Sequence, residues 1–295
     1  MGQKQSTKPN ITVWDIEVTW GLDAGTGAIL CIAYKDLHEK NVHCVSQWDF
    51  KNWHKDIYND SEVVKAVHPV LFNSDGHVFQ FGIGFDLPYF NSRALKWGLP
   101  PIPKGQIMDT WVAAKKKMRL EKRSLDSIAR FFDLPTKTHV GIKTWQGVMN
   151  RDVASCKKMA NYCKNDVKVL EGVYLKLRPL MPSIPNYNLW KRGDDPPVCA
   201  RCGSDKTRPC GFKPLVSGKY QKFLCKDCGS VSRSRYAETG PIKREKINEE
   251  ACPHCEEHML HADKWYVFEG EKYRDWKCYG CGKKVQRELG RNMLI

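Results

Sequence analysis

The sequence predicts an α/β fold: a mixed sheet flanked by helices, followed by two small β-rich modules. Three observations carry that expectation. Short runs rich in β-branched and aromatic residues fill the first fifty positions, helical periodicity takes over later, and the region beyond residue 198 repeats one cysteine pattern twice.

The elements follow in order. Ile11–Val18 reads as a buried strand, and 29–34 and 42–48 read as two more, separated by turn residues, so the three form an antiparallel meander. A fourth strand at 77–81 precedes Gly82 and Gly84. Ser124 caps a helix that sets Leu125, Ile128, Ala129 and Phe132 on one face. A long helix over 152–178 carries Met159, Cys163, Leu170, Tyr174 and Leu177 along an apolar stripe. Pro179, Pro182, Pro185, Pro196 and Pro197, with Gly193, then break regular structure. The expected organisation is a domain over 8–180, a linker over 181–198, and modules over 199–240 and 247–290.

Each module holds two C-x2-C knuckles. Cys199 and Cys202 are separated by 22 residues from Cys225 and Cys228, and Cys252 and Cys255 by 22 from Cys278 and Cys281; the two sets lie 53 positions apart. Lys219-Tyr220 matches Lys272-Tyr273, Phe223 matches Trp276 and Gly229 matches Gly282, so the module is duplicated. Two knuckles supply four thiolates for a tetrahedral Zn2+, and a site closed by four protein ligands is structural. A module this small cannot bury enough apolar surface to fold without help, so the metal stabilises it. Two structural Zn2+ are expected. Disulfides are disfavoured, because Cys31, Cys44, Cys156 and Cys163 are scattered without pattern and no secretory apolar segment opens the chain. Those four read as inert buried thiols, Cys210 as a bystander, and His254, His258 and His261 as surface residues.

Charge narrows the class of partner. The chain has 48 Lys plus Arg against 33 Asp plus Glu, a net charge of +15, which points toward a polyanion. The excess is patchy. Residues 191–246 hold 14 basic and six acidic side chains, while residues 247–295 hold eight and nine. No apolar run approaches the roughly 20 residues of a membrane-spanning helix, so a soluble, cytoplasmic protein without a membrane partner is expected.

Three acidic elements stand out. Asp15 and Glu17 are two residues apart on an apolar strand and point to one face, where they repel and lose hydration unless a cation neutralises them. A strand end emerging into solvent would look the same. Asp86 lies between large apolar residues in Gly82-Ile-Gly-Phe-Asp-Leu-Pro; the alternative there is a turn residue capping the next helix. Tyr162 and Asp166 are one helical turn apart on a shared face. Asp109 and Asp126 are rival acids, read respectively as packing support and as a first-turn acid complementing the helix dipole.

Together, and in this order, Asp15-x-Glu17, Phe85-Asp86-Leu-Pro and Tyr162-x3-Asp166 resemble the three motifs of the DEDDy group of 3′→5′ exonucleases. That group belongs to the ribonuclease H-like superfamily, which includes the proofreading domains of family B DNA polymerases. The contexts around Tyr162 and Leu87 are similar to stand-alone ribonuclease H-like nucleases, many of them phage-encoded and some carrying C-terminal zinc ribbons. The resemblance covers residues 11–180. It implies a ribonuclease H-like sheet and metal-dependent hydrolysis of phosphodiesters at nucleic-acid 3′ ends, single-stranded or frayed. It also implies two Mg2+ or Mn2+, with Asp15 bridging both ions. Glu17 and Asp166 complete the tighter site, Asp86 reaches the second ion mainly through water, and Tyr162 orients the attacking water. One departure is Gln80-Phe81, where relatives often carry His-Asn; it bears on how substrate or neighbouring backbone is held.

Two other functions stay open: a non-catalytic nucleic-acid-binding or assembly factor on a nuclease-like fold, and a structure-specific endonuclease. Lys115, Lys116, Lys117, Arg119, Lys122 and Arg123 form a basic run that either tracks phosphates or is a solvated face. In the first module Lys213, Lys219, Lys222, Lys226, Arg233 and Arg235 interleave with Phe212, Tyr220, Phe223 and Tyr236, the pattern of a surface that stacks unpaired bases and follows their backbone. Arg93, at the end of the Asp86 segment, joins the candidate nucleic-acid contacts. Zinc ribbons also bind proteins, so the second module, and a replication or repair protein as partner, are read that way.

Overall fold

In the computed structural model the first strand, β1 (Ile11–Val18), lies at the centre of a five-stranded mixed sheet. The meander is present: β2 (Ile29–Asp36) runs antiparallel to β1 and β3 (His43–Ser46) antiparallel to β2. After α1 (Ser61–Phe72), β4 (Gly76–Phe79) returns on the other side of β1, parallel to it. α2 (Asp86–Lys96) then leads to β5 (Gln106–Asp109), parallel to β4, giving the order β3-β2-β1-β4-β5. Four helices follow: α3 (Thr110–Lys117), α4 (Leu125–Phe131), α5 (Ile142–Met149) and α6 (Val153–Leu177). The structure describes residues 8–20, 22–103, 105–136, 138, 140–191, 197–215, 218–234, 252–256, 260–268, 271–278 and 281–289.

Alternation along β1 divides its side chains between two cores. Trp14, Ile16 and Val18 pack with α1 and α2 residues such as Val63, Val67, Leu71 and Phe90. Ile11 and Val13 face α3, α4 and α6, where Ala113, Ile128, Met159, Leu170 and Leu177 complete the core. The sheet is thus flanked by helices on both faces. The expected stripe of α6 is buried throughout, and Asp152 caps its start by accepting from Ser155 N at 2.8 Å. α1 carries Pro69 inside it, a residue that ordinarily ends a helix, so periodicity alone does not mark this element.

By contact the chain divides into two units, residues 1–211 with 222–233, and residues 212–221 with 234–295. In the first unit the proline-rich stretch after α6 is more ordered than expected. It forms 3-10 turns at Arg178–Leu180 and Tyr187–Trp190, and buries Met181 and Tyr187 in the α6-side core. Arg201, between the first two knuckle cysteines, donates to the carbonyls of Arg178 and Met181 at 3.2 and 2.7 Å. Beyond it lie β6 (Thr207–Leu215), β7 (Gly218–Cys225) and β8 (Val231–Arg233), in that order in a three-stranded sheet. The duplicated module forms a matching sheet from β9 (Leu260–Phe268), β10 (Glu271–Cys278) and β11 (Lys284–Leu289), with β10 central.

Arg93 corrects an expectation. It is not placed to meet a nucleic acid. Its side chain is fully buried with that of Asp60, to which it donates from Nη2 at 2.7 Å and Nε at 2.8 Å; it also donates to the carbonyls of Ala24 and Tyr58. Asp60 accepts further from Ile29 N and Trp97 Nε1. Burial of both charges is tolerable because the guanidinium fork and the carboxylate satisfy one another. Among the described residues, no helix is long and apolar enough to cross a membrane.

Candidate functional site

On the α6 side of β1 the row Ile11, Val13 continues as Asp15 and Glu17, so the apolar face becomes acidic toward the carboxyl end of the strand. β1 pairs with β4 only from Ile11 to Val13, and its register with β2 slips between Glu17 and Val18. The strand end is therefore released from the ladder on its β4 side. Asp86, first residue of α2 and buried, accepts there from Ile16 N at 3.3 Å, between the two acids. A pocket of about 310 Å3 opens at this edge, lined by Asp15, Glu17, Asp86, Tyr162 and Asp166 with Ile16, Leu22, Gln80, Phe81 and Phe85. All five candidate catalytic residues line one cavity. The carboxyl edge of parallel strands, where a sheet changes connection, is a common place for ligands.

The loop from β4 into α2 is shaped by Asp109. Its carboxylate caps α3 at Val112 N and accepts from Phe81 N and Ile83 N at 3.1 and 3.2 Å. Burial pushes the Asp109 carboxyl above its ordinary range, while these backbone donors pull the other way. Phe81 sits in the left-handed region at φ 60. Gly82 is required beside it, since a Cβ there would fall 2.2 Å from the Phe79 ring. Gln80 donates to Arg123 O at 2.7 Å and pairs with the Thr110 hydroxyl, so it braces neighbouring backbone. Phe81 is 46% exposed and meets Trp111 edge-on.

From α6, Tyr162 and Asp166 reach the pocket one turn apart. Trp145 of α5 donates to Val18 O at 3.2 Å and packs edge-on against Tyr162, tying the strand end to the phenol. α5 approaches α6 closely at Gly147, where a Cβ would lie 2.0 Å from Ser155 Oγ. A second cavity of about 290 Å3 adjoins the acids and is mostly apolar, lined by Val18, Trp20, Leu22, Phe85, Ile142 and Trp145 among others.

The donor group at this edge contains a residue that sequence reasoning set aside. Ligand atoms of Asp15, Glu17 and Cys163 all lie within 4.8 Å of one another; Asp86 and Asp166 line the pocket without joining that group. The Cys163 thiol is buried, 3.9 Å from Asp15 Oδ2 and 3.6 Å from Asp15 O, and burial pushes it well above its usual range. Its place between Tyr162 and Asp166 on one helix was the available signal. Two carboxylates this close repel by roughly 3–4 kcal/mol at an effective dielectric of 20, so the site favours a cation. Asp15, Glu17 and Cys163 are the residues here that could hold a metal ion.

The knuckles form two tetracysteine groups, Cys199, Cys202, Cys225 and Cys228, and Cys252, Cys255, Cys278 and Cys281. Cross pairs are 3.7 Å apart in the first group and 3.6 and 3.8 Å in the second. A tetrahedron with Zn–S bonds of about 2.3 Å has edges of about 3.8 Å, so both groups fit zinc. In each knuckle the residue after the second cysteine is left-handed: Gly203, Gly229, Gly282 and, without glycine, Glu256. Trp276 packs against Cys252 and Cys278 in the small core of the second group.

Among the remaining candidates, Lys213, Lys219 and Arg233 are exposed, and Tyr220, Lys222 and Phe223 half-buried. Lys222 faces Arg233 across the β7–β8 ladder, and Lys219 Nζ stands 4.1 Å over the Phe212 ring. Arg235, Tyr236 and His258 lie outside the described residues; His254 is exposed. Asp126 occupies the first turn of α4 and pairs with Arg130, and Lys115 stands over Trp111. The sequence matches no protein-family model and no curated protein.

Proposed function

We propose that this chain is a metal-dependent 3′→5′ exonuclease of the ribonuclease H-like superfamily, with zinc ribbons that engage nucleic acid or a partner protein. The observation that carries the reading is the meeting of Asp15, Glu17, Asp86, Tyr162 and Asp166, drawn from β1, α2 and α6, in one cavity. The mixed sheet flanked by helices agrees with it.

Asp15, Glu17 and Asp166 would hold one divalent ion, and Asp15 with Asp86 a second. Bound there, two such ions stabilise the attacking and leaving oxygens of an in-line displacement. Tyr162 positions the incoming water by hydrogen bond; an ordinary phenol near pKa 10 is too weak a base to deprotonate it at neutral pH. Trp145 holds Tyr162 in place and, with Leu22 and Phe85, offers an apolar wall against which a terminal base can stack while water is excluded. The exposed cations of the first module would bind the phosphate backbone of a nucleic acid.

A time course on 5′-labelled single-stranded DNA and RNA, with Mg2+ or Mn2+, tests the reading. Stepwise shortening from the 3′ end is expected, with losses of about 10³-fold or more in Asp15→Ala and Asp166→Ala. Full activity in either variant refutes it. Cleavage of a circular substrate would instead indicate an endonuclease, and tight binding without turnover an assembly factor.

A further inference from the structure

The donor that closes on Asp15 and Glu17 is a thiol. Cys163 is carried by α6 between the two residues that α6 gives the pocket, and its Sγ points at the Asp15 carboxylate from the interior side. We propose that Asp15, Glu17 and Cys163 form a binding site for a thiophilic divalent cation of the zinc, cobalt and cadmium class, whose occupancy shuts the hard-cation site built on the same two carboxylates. The consequence for catalysis rests on the nuclease reading; the site itself does not.

The distances favour it. A tetrahedral ion with a metal–sulfur bond of about 2.3 Å and a metal–oxygen bond of about 2.1 Å sets oxygen and sulfur about 3.6 Å apart. The observed Asp15 Oδ2 to Cys163 Sγ separation is 3.9 Å, so a shift of a few tenths of an ångström completes the geometry. Glu17 supplies a third donor within 4.8 Å of both. Magnesium takes oxygen ligands in octahedral geometry and gains nothing from sulfur, whereas a softer ion gains a strong bond. Binding breaks the Cys163 S–H bond, forms one metal–sulfur bond and releases one proton to solvent. The two tetracysteine groups differ in kind. They are closed by four thiolates, whereas the third site joins two carboxylates that line the open pocket to a thiol buried behind them.

The test is a Co2+ titration of the full chain already carrying two zinc ions in its ribbons. One further equivalent is expected to bind, with a near-ultraviolet thiolate-to-cobalt charge-transfer band and one proton released per ion. The band should vanish in Cys163→Ser, with affinity lowered roughly tenfold or more, and persist in Cys156→Ser, whose thiol stands apart from the three donors. Trace Zn2+ should suppress Mg2+-supported cleavage, and suppress it less in Cys163→Ser relative to that variant's own rate. Cys163→Ala serves if the serine variant does not fold, and proton release by the unaltered chain needs no variant. An absent band, or a band undiminished in Cys163→Ser, overturns the site. Cleavage without the band overturns only this inference; a Cys163-dependent band without any cleavage supports the site and refutes the nuclease reading.

Discussion

His77 offers a quantitative test of the packing at the centre of the sheet. It lies on β4 opposite Thr12 and Ile107, 1% exposed, with Trp14 edge-on to its ring. Neither ring nitrogen has a hydrogen-bond partner among the described residues. Burial pulls its pKa down to about 4 from an ordinary 6.5. The unfolded chain therefore binds a proton on His77 near pH 6.5 that the folded chain refuses until about pH 4. The stability that depends on a neutral His77 is whole above pH 6.5 and is lost as pH falls toward 4. At about 1.4 kcal/mol per unit, the loss over that window is about 3 kcal/mol. His77→Leu removes the titrating group at similar volume and also removes two buried polar atoms. Urea unfolding of both proteins from pH 7.5 to pH 4 provides the measurement, because carboxylate contributions common to both cancel in the difference. The difference should widen in favour of the leucine variant as pH falls below 6.5. Parallel stability curves across the window would refute the burial argument.

The other expectations are as direct. Gly203→Ala should destabilise the first module by about 2–4 kcal/mol, since its left-handed φ adds strain and a Cβ would lie 2.6 Å from the Tyr187 ring. Gly282→Ala meets no neighbour among the described residues and should cost only about 1–2 kcal/mol, while Glu256→Gly should gain up to about 1 kcal/mol; competition with a zinc chelator ranks all three, and equal losses for the two alanines would contradict the packing. Metal analysis of the purified chain should return at least two zinc ions, one fewer in Cys199→Ser with Cys225→Ser, and chelation should melt the modules while the α/β core keeps its helical circular dichroism. Arg93→Leu strands the Asp60 charge in the core and should cost about 3–5 kcal/mol in urea unfolding; a loss confined to nucleic-acid affinity would show that the buried pair has been misjudged.

Local rules made much of this protein readable in advance. A C-x2-C turn brings its two thiolates together through four consecutive residues, so the zinc groups needed no knowledge of the rest of the chain, and the spacing of 22 residues left room for the hairpin between them. Alternation marked β1, β2 and β3, and the stripe on α6 marked the helix that covers them, because burial of one face leaves a period in the sequence. The same alternation placed Asp15 and Glu17 on one side of β1. It did not say what they would meet. That Asp86 arrives at Ile16 N, that Cys163 rather than a third carboxylate closes on the pair, and that Arg93 spends its donors on Asp60 were decided by packing between residues 33 to 148 positions apart in the chain. Spacing along a strand or helix determines which side a group faces, since it follows from backbone geometry within a few residues. Which groups share a pocket depends on how sheet, loops and helices exclude water together, and only the assembled tertiary structure holds that information.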